Sequence, residues 1–75
     1  MSKADEMFEE LGYENQRKGN GARIYYEYYN KKSEEFIQFW YDKTISKYNK
    51  EETGYITIQE LQAINEKVKE LGWNE

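Results

Sequence analysis

The stretch Thr57–Trp73, TIQELQAINEKVKELGW, constrains the fold more than any other part of the chain. Its apolar residues Ile58, Leu61, Ile64, Val68 and Leu71 advance in steps of three, three, four and three, which draw one stripe along a helix. Thr57 and Glu60 stand at capping-box spacing, and Ile56 occupies the position from which a hydrophobic staple packs on Leu61. Gly72 can take the left-handed conformation that closes a helix, with Trp73 folding back on the last turn. A helix with such a stripe needs an apolar surface to lie on, and the remaining chain has to supply it.

Only 75 residues are available for this, with neither cysteine nor histidine to staple them through disulfides or the usual zinc ligands. A chain of this length forms one domain and buries only about 60–65% of the surface its unfolded form exposes. Large side chains must therefore carry the core, and eight tyrosines, three phenylalanines and two tryptophans suit that need.

The remaining segments read in order as follows. Met1–Leu11 is a helix with Ser2 as N-cap, Asp5 and Glu6 in the positive first turn, and Ala4, Met7, Phe8 and Leu11 on one face. Gly12 and Tyr13 close it as Gly72 and Trp73 close the last helix. Glu14–Gly21 is a polar loop, with weak support for a short edge strand around Tyr13–Arg17. Arg23–Tyr29 is a strand, with Ile24, Tyr26 and Tyr28 on one face and Tyr25, Glu27 and Tyr29 on the other. Glu35–Tyr41 is a second strand, with Ile37, Phe39 and Tyr41 on one face and Phe36, Gln38 and Trp40 on the other. Thr44–Tyr48 gives a third strand with Ile45 inward. Short links favour a meander, so the expected fold is α+β, an antiparallel three-stranded sheet flanked by an N-terminal and a C-terminal helix (α-β-β-β-α). Ile24, Ile37, Phe39 and Ile45 would meet Phe8, Leu61, Ile64 and Val68 in the core.

Fifteen acidic against eleven basic residues give a net charge of −4, which opposes duplex DNA or an anionic membrane as partner. No apolar run approaches the roughly 20 residues that cross a bilayer, and no signal-peptide pattern opens the sequence, so a cytoplasmic location is expected. Nucleophilic catalysis lacks a cysteine nucleophile and a histidine base, and the adjacent pairs Glu34/Glu35 and Glu51/Glu52 read as solvated charge. Gly19-Asn20-Gly21 lacks the strand, helix and lysine of a phosphate loop. No enzyme, cofactor or metal centre is expected. An alternative is an EF-hand-like calcium loop over Asn49–Glu60, which has Gly54 at position six, Ile56 at eight and Glu60 at twelve. Its first half fails the chemistry, with Asn49, Glu51 and Thr53 at positions one, three and five, and a capping box explains Thr57 and Glu60 without calcium.

The second sheet face is the sharper clue. Tyr25, Tyr29, Phe36 and Trp40 would project there beside Gln38, an unusual amount of aromatic surface. A helix or loop covering this face is one reading, and a protein-binding or homodimerising surface is another, since Tyr and Trp dominate interface energetics. Stacking of single-stranded nucleic acid is the third, with Arg23, Lys31, Lys32 and Lys43 near but the net charge opposed. The candidate partner-binding set is Tyr25, Tyr29, Phe36, Gln38 and Trp40, joined by Glu51 and Glu52 from the acidic loop.

The two ends, KADEMFEELGYE at Lys3–Glu14 and YITIQELQAINEKVKELGW at Tyr55–Trp73, resemble a group of small open reading frames in phages and prophages of Gram-positive bacteria. The middle, from Arg23 to Lys50, matches that group only as a strand-rich pattern. The resemblance brings no catalytic residues. It implies a small non-catalytic accessory protein made inside a bacterium. Its expected partner is a host enzyme or a bacterial immune protein, as for an anti-CRISPR-like inhibitor serving host takeover or immune evasion.

Overall fold

A computed structural model describes residues 2–16, 24–49 and 54–73, with residues 24 and 25 described by their backbone. Their elements are α1 (Lys3–Glu10), β1 (Tyr13–Asn15), β2 (Ile24–Asn30), β3 (Glu35–Trp40), β4 (Ile45–Tyr48) and α2 (Ile58–Glu70). The four strands form one antiparallel sheet in the order β1-β2-β3-β4. The α+β class and the meander are as the sequence predicts, but the sheet has four strands rather than three. The added strand β1 sets Tyr13 opposite Asn30 and Asn15 opposite Tyr28, and the Gln16 N–H donates to the Glu27 carbonyl at 2.7 Å. Three residues opening a polar run leave little period to read, and the partner strand supplies the order.

Each helix starts and stops on the residues that favour it. Ser2 Oγ accepts from the Asp5 N–H at 3.0 Å, and Gly12, at φ +93°, closes α1 by donating to the Glu9 carbonyl. A side chain at Gly12 would also press on the Asn30 amide, 3.1 Å from where its Cβ would stand. Asn30 Nδ2 donates to the Leu11 carbonyl while its Oδ1 accepts from the N–H groups of Lys32 and Ser33. One amide thus ties the end of α1 to the β2–β3 turn. In α2 both bonds of the Thr57–Glu60 capping box form. Its far end is a Schellman closure, with Gly72 N–H on Lys69 O and Trp73 N–H on Val68 O.

Both helices lie on one side of the sheet. Phe8, Tyr13, Tyr28, Ile37, Phe39, Ala63 and Ile64 form the buried cluster, with Met7, Leu11, Tyr26, Val68, Leu71 and Trp73 packed around it. Phe8 stacks on Tyr28 at 3.9 Å between ring centroids and meets Tyr13 and Phe39 edge-on. α1 packs on α2, and each buries an alanine, Ala4 and Ala63, small enough for close backbone approach.

Four expectations about this core need correction. A register shift between Ile24 and Tyr26 pairs Ile24 with Trp40 and Tyr26 with Phe39, so the two-residue alternation grouping Ile24 with Tyr26 breaks there. In α2 the buried residues are Glu60, Ala63, Ile64 and Lys67, whereas Ile58 is 65% exposed and Leu61 45%. The helix is rolled so that Ile64, Val68 and Leu71 of the stripe meet the core while Ile58 and Leu61 stay outside, because Glu60 and Lys67 are fixed inward. Ile45, opposite Phe39 on edge strand β4, is likewise only partly covered, and Tyr41 lies exposed in the turn after β3.

Candidate functional site

The inward ions explain that roll. Lys47 stands opposite Ile37 on the helix-facing side of β4, with its side chain only 5% exposed. Its Nζ reaches Glu60 Oε1 at 2.8 Å and Glu35 Oε2 at 3.1 Å, and donates to the Tyr55 carbonyl at 3.0 Å. Glu60 accepts three donors: Oε1 takes Lys47 and the Thr57 N–H, and Oε2 takes the Tyr13 hydroxyl at 2.7 Å. Burial alone would raise the Glu60 carboxyl; Lys47, the Thr57 N–H and Tyr13 outweigh it and hold it below the ordinary range. Lys47 shows the mirror balance, burial lowering it and the two carboxylates holding it above the usual ammonium value. Burial, then the Glu60 carboxylate, push the Tyr13 hydroxyl far up.

Lys67 forms a second knot at the other end of the core. Its side chain is 1% exposed and its Nζ lies 3.6 Å from the Tyr26 ring centroid, 3.1 Å from Glu70 and 3.8 Å from Asp5. Asp5 also accepts the Tyr28 hydroxyl. Burial opposes the Asp5 charge, but Tyr28 and Lys67 prevail and its carboxyl sits below its ordinary value. Both knots join helix to sheet through groups already matched to partners, which is the chemistry of a scaffold.

The outer face of the sheet is built differently. Tyr29, Phe36 and Tyr48 stand side by side across β2, β3 and β4. Tyr29 stacks on Phe36 at 4.5 Å, and Phe36 lies 6.3 Å from Tyr48, which is 55% exposed. One residue pair along, a polar chain crosses the same strands. Trp40 Nε1 donates to Ser46 Oγ at 2.9 Å, Ser46 Oγ to Gln38 Oε1 at 3.2 Å, and Gln38 Nε2 to Glu27 Oε1 at 2.8 Å. Cross-strand pairing thus holds both rows in fixed geometry.

Of the sequence-predicted site residues, Tyr29, Phe36, Gln38 and Trp40 come together on this face. The side chain of Tyr25, and all of Glu51 and Glu52, lie outside the described residues. Tyr48, Glu27 and Ser46 complete the rows and were not singled out by sequence reasoning. The alternation of β2 already places Glu27 beside Tyr29, while Tyr48 and Ser46 become visible only through the β3–β4 register. Glu27 is buried and Phe36, Gln38 and Trp40 are half-buried, so the row's edge at Tyr48 is its accessible end.

The calcium-loop alternative meets two observations. Strands β3 and β4 occupy the stretch where an EF-hand carries its incoming helix, and Glu60 is already bound to Lys47, Tyr13 and Thr57. Among the described residues no group of three or more acidic side chains is arranged to hold a metal ion, and no helix is long and apolar enough to cross a membrane. An open depression of about 430 Å³ between α1 and β1 is lined by Asp5, Glu9, Tyr13, Glu14 and Asn15, of which Asp5 and Tyr13 already serve the knots. No protein-family model, no curated protein and no solved structure matches this chain.

Proposed function

We propose that this chain is a small non-catalytic binding protein whose contact surface is the outer face of the sheet, centred on Tyr29, Phe36 and Tyr48. The supporting observation is the pre-stacked ring row on the side of the sheet opposite both helices. Rings held by cross-strand stacking lose little further freedom on binding, so they make economical anchors for a partner. The polar chain from Trp40 to Glu27 is satisfied within the sheet and braces the strands that carry the rings. A protein partner fits better than a nucleic acid, because exposed Glu14 pairs in register with Tyr29 and the net charge is −4. The likeness of the two chain ends to small phage and prophage proteins supplies the setting. In it the partner is a host enzyme or a bacterial immune protein, met inside the cell.

The test is a pulldown from bacterial lysate with mass spectrometry, using the wild-type chain and Tyr48→Ala. Tyr48 is exposed enough to be removed without opening the core. The proposal expects a protein that the wild type enriches and the variant loses. Salt-sensitive retention of a single-stranded oligonucleotide, with no such protein, would favour the nucleic-acid reading instead.

A further inference from the structure

We propose that the exposed early turns of α2 form an isologous interface with a second copy of this chain. The roll of α2 that buries Glu60 and Lys67 leaves Ile58 at 65% exposure and Leu61 at 45% on the outside, beside exposed Tyr55 and Ile56. Ile58, Leu61, Gln62 and Asn65 follow the i, i+3, i+4, i+7 spacing of one helix side. From Ile58 to Asn65 that side carries no charge, in a chain where 35% of residues are charged, since Glu60 is turned inward.

The occupant follows from charge and symmetry. A two-fold contact sets each patch against its own copy, so like charges there would meet and repel, and a basic or acidic partner would find no complement on it. Carboxamides both donate and accept, so Gln62 and Asn65 can bond across a two-fold axis where a carboxylate or ammonium could not. The first ion along this side is Glu66, which is half-buried. In an antiparallel pairing centred on Leu61–Gln62, Glu66 lies over the N-terminus of the partner's α2, where the positive end of the helix dipole favours it. The interface uses neither Tyr29 nor Tyr48, so it stands or falls separately from the sheet face.

Sedimentation equilibrium of the full chain from about 1 µM to about 500 µM tests it, the range suited to a small interface. A mass rising to twice 9.2 kDa is expected. Leu61→Glu should raise the dimer dissociation constant about 30-fold or more. Its circular dichroism should be unchanged, and an equimolar mixture with Leu61→Lys should restore the dimer. Gln62→Cys, at an exposed position, should form a disulfide-linked dimer on mild oxidation even if the Leu61 variants fold poorly. A wild-type chain that stays monomeric throughout, a dimer indifferent to Leu61→Glu, or Gln62→Cys that fails to cross-link would each overturn the proposal. Tyr48→Ala should leave the dimer intact.

Discussion

Glu60 does three jobs with one carboxylate. It caps α2, neutralises Lys47 and accepts the Tyr13 hydroxyl, so it links α2, β4 and the start of β1. Glu60→Gln keeps the size but strands Lys47 with Glu35 as its remaining carboxylate, and should cost about 2–3 kcal/mol at neutral pH in denaturant melts. The pH dependence has a definite sign. Asp5, Glu35 and Glu60 are all held below their ordinary values in the folded chain, so their contribution is complete above the ordinary carboxylate pKa. It is lost as pH falls through the lower folded values. The gap between wild type and Glu60→Gln should therefore close below about pH 4, where the wild-type carboxyl also takes up its proton. At the alkaline end Lys47, Tyr13 and Tyr28 are all raised, and their contribution is complete below about pH 10 and declines above it. Lys67→Met retains the stem among the rings but removes the charge over Tyr26. It should lower stability by about 1–2 kcal/mol, read as a shift in denaturation midpoint, because Asp5 and Glu70 retain partial access to water.

At the scale of elements, what could be read from the chain was local. The caps of both helices, the three longer strands and the inward set Tyr26, Tyr28, Ile37 and Phe39 all follow from spacing within ten or so residues. The roll of α2 does not, because it depends on Lys47 meeting Glu60 across 13 residues and on Lys67 meeting Asp5 from the other end of the chain. An apolar-periodicity reading scores Glu60 and Lys67 as solvent-facing and Ile58 and Leu61 as core. Ion pairs buried by distant partners reverse both. The short strand β1 was signalled only as an edge strand around Tyr13–Arg17 and left out of the expected sheet, since its order comes from pairing with β2 rather than from its own sequence. Thr57→Ala isolates the local contribution: it removes the bond from the Glu60 N–H while leaving the apolar residues in place. The expected loss is about 1 kcal/mol in thermal or denaturant unfolding.

For the whole molecule, the consequence is a division of labour between two surfaces of the sheet. One carries both helices, the stacked rings of Phe8 and Tyr28 and the two ion knots, and accounts for the fold. The other carries a ring row and a hydrogen-bonded polar row that contribute to the sheet but face away from that core. Part of this second surface was legible beforehand, because Tyr29, Phe36, Gln38 and Trp40 share a face by simple alternation. The sheet register was needed to show that Trp40 is tied to Ser46 and that Tyr48 forms the open end of the row. Trp40 is consequently a poorer probe than Tyr48, since cutting it leaves the Ser46 hydroxyl short of its donor. The most direct test is titration calorimetry of the captured protein partner against wild-type chain and the double variant Tyr29→Ala/Tyr48→Ala, with folding of each confirmed by circular dichroism. Binding weakened about 10-fold or more by the double variant is predicted. Equal affinity for the two folded chains would contradict the assignment of the ring row as the contact surface.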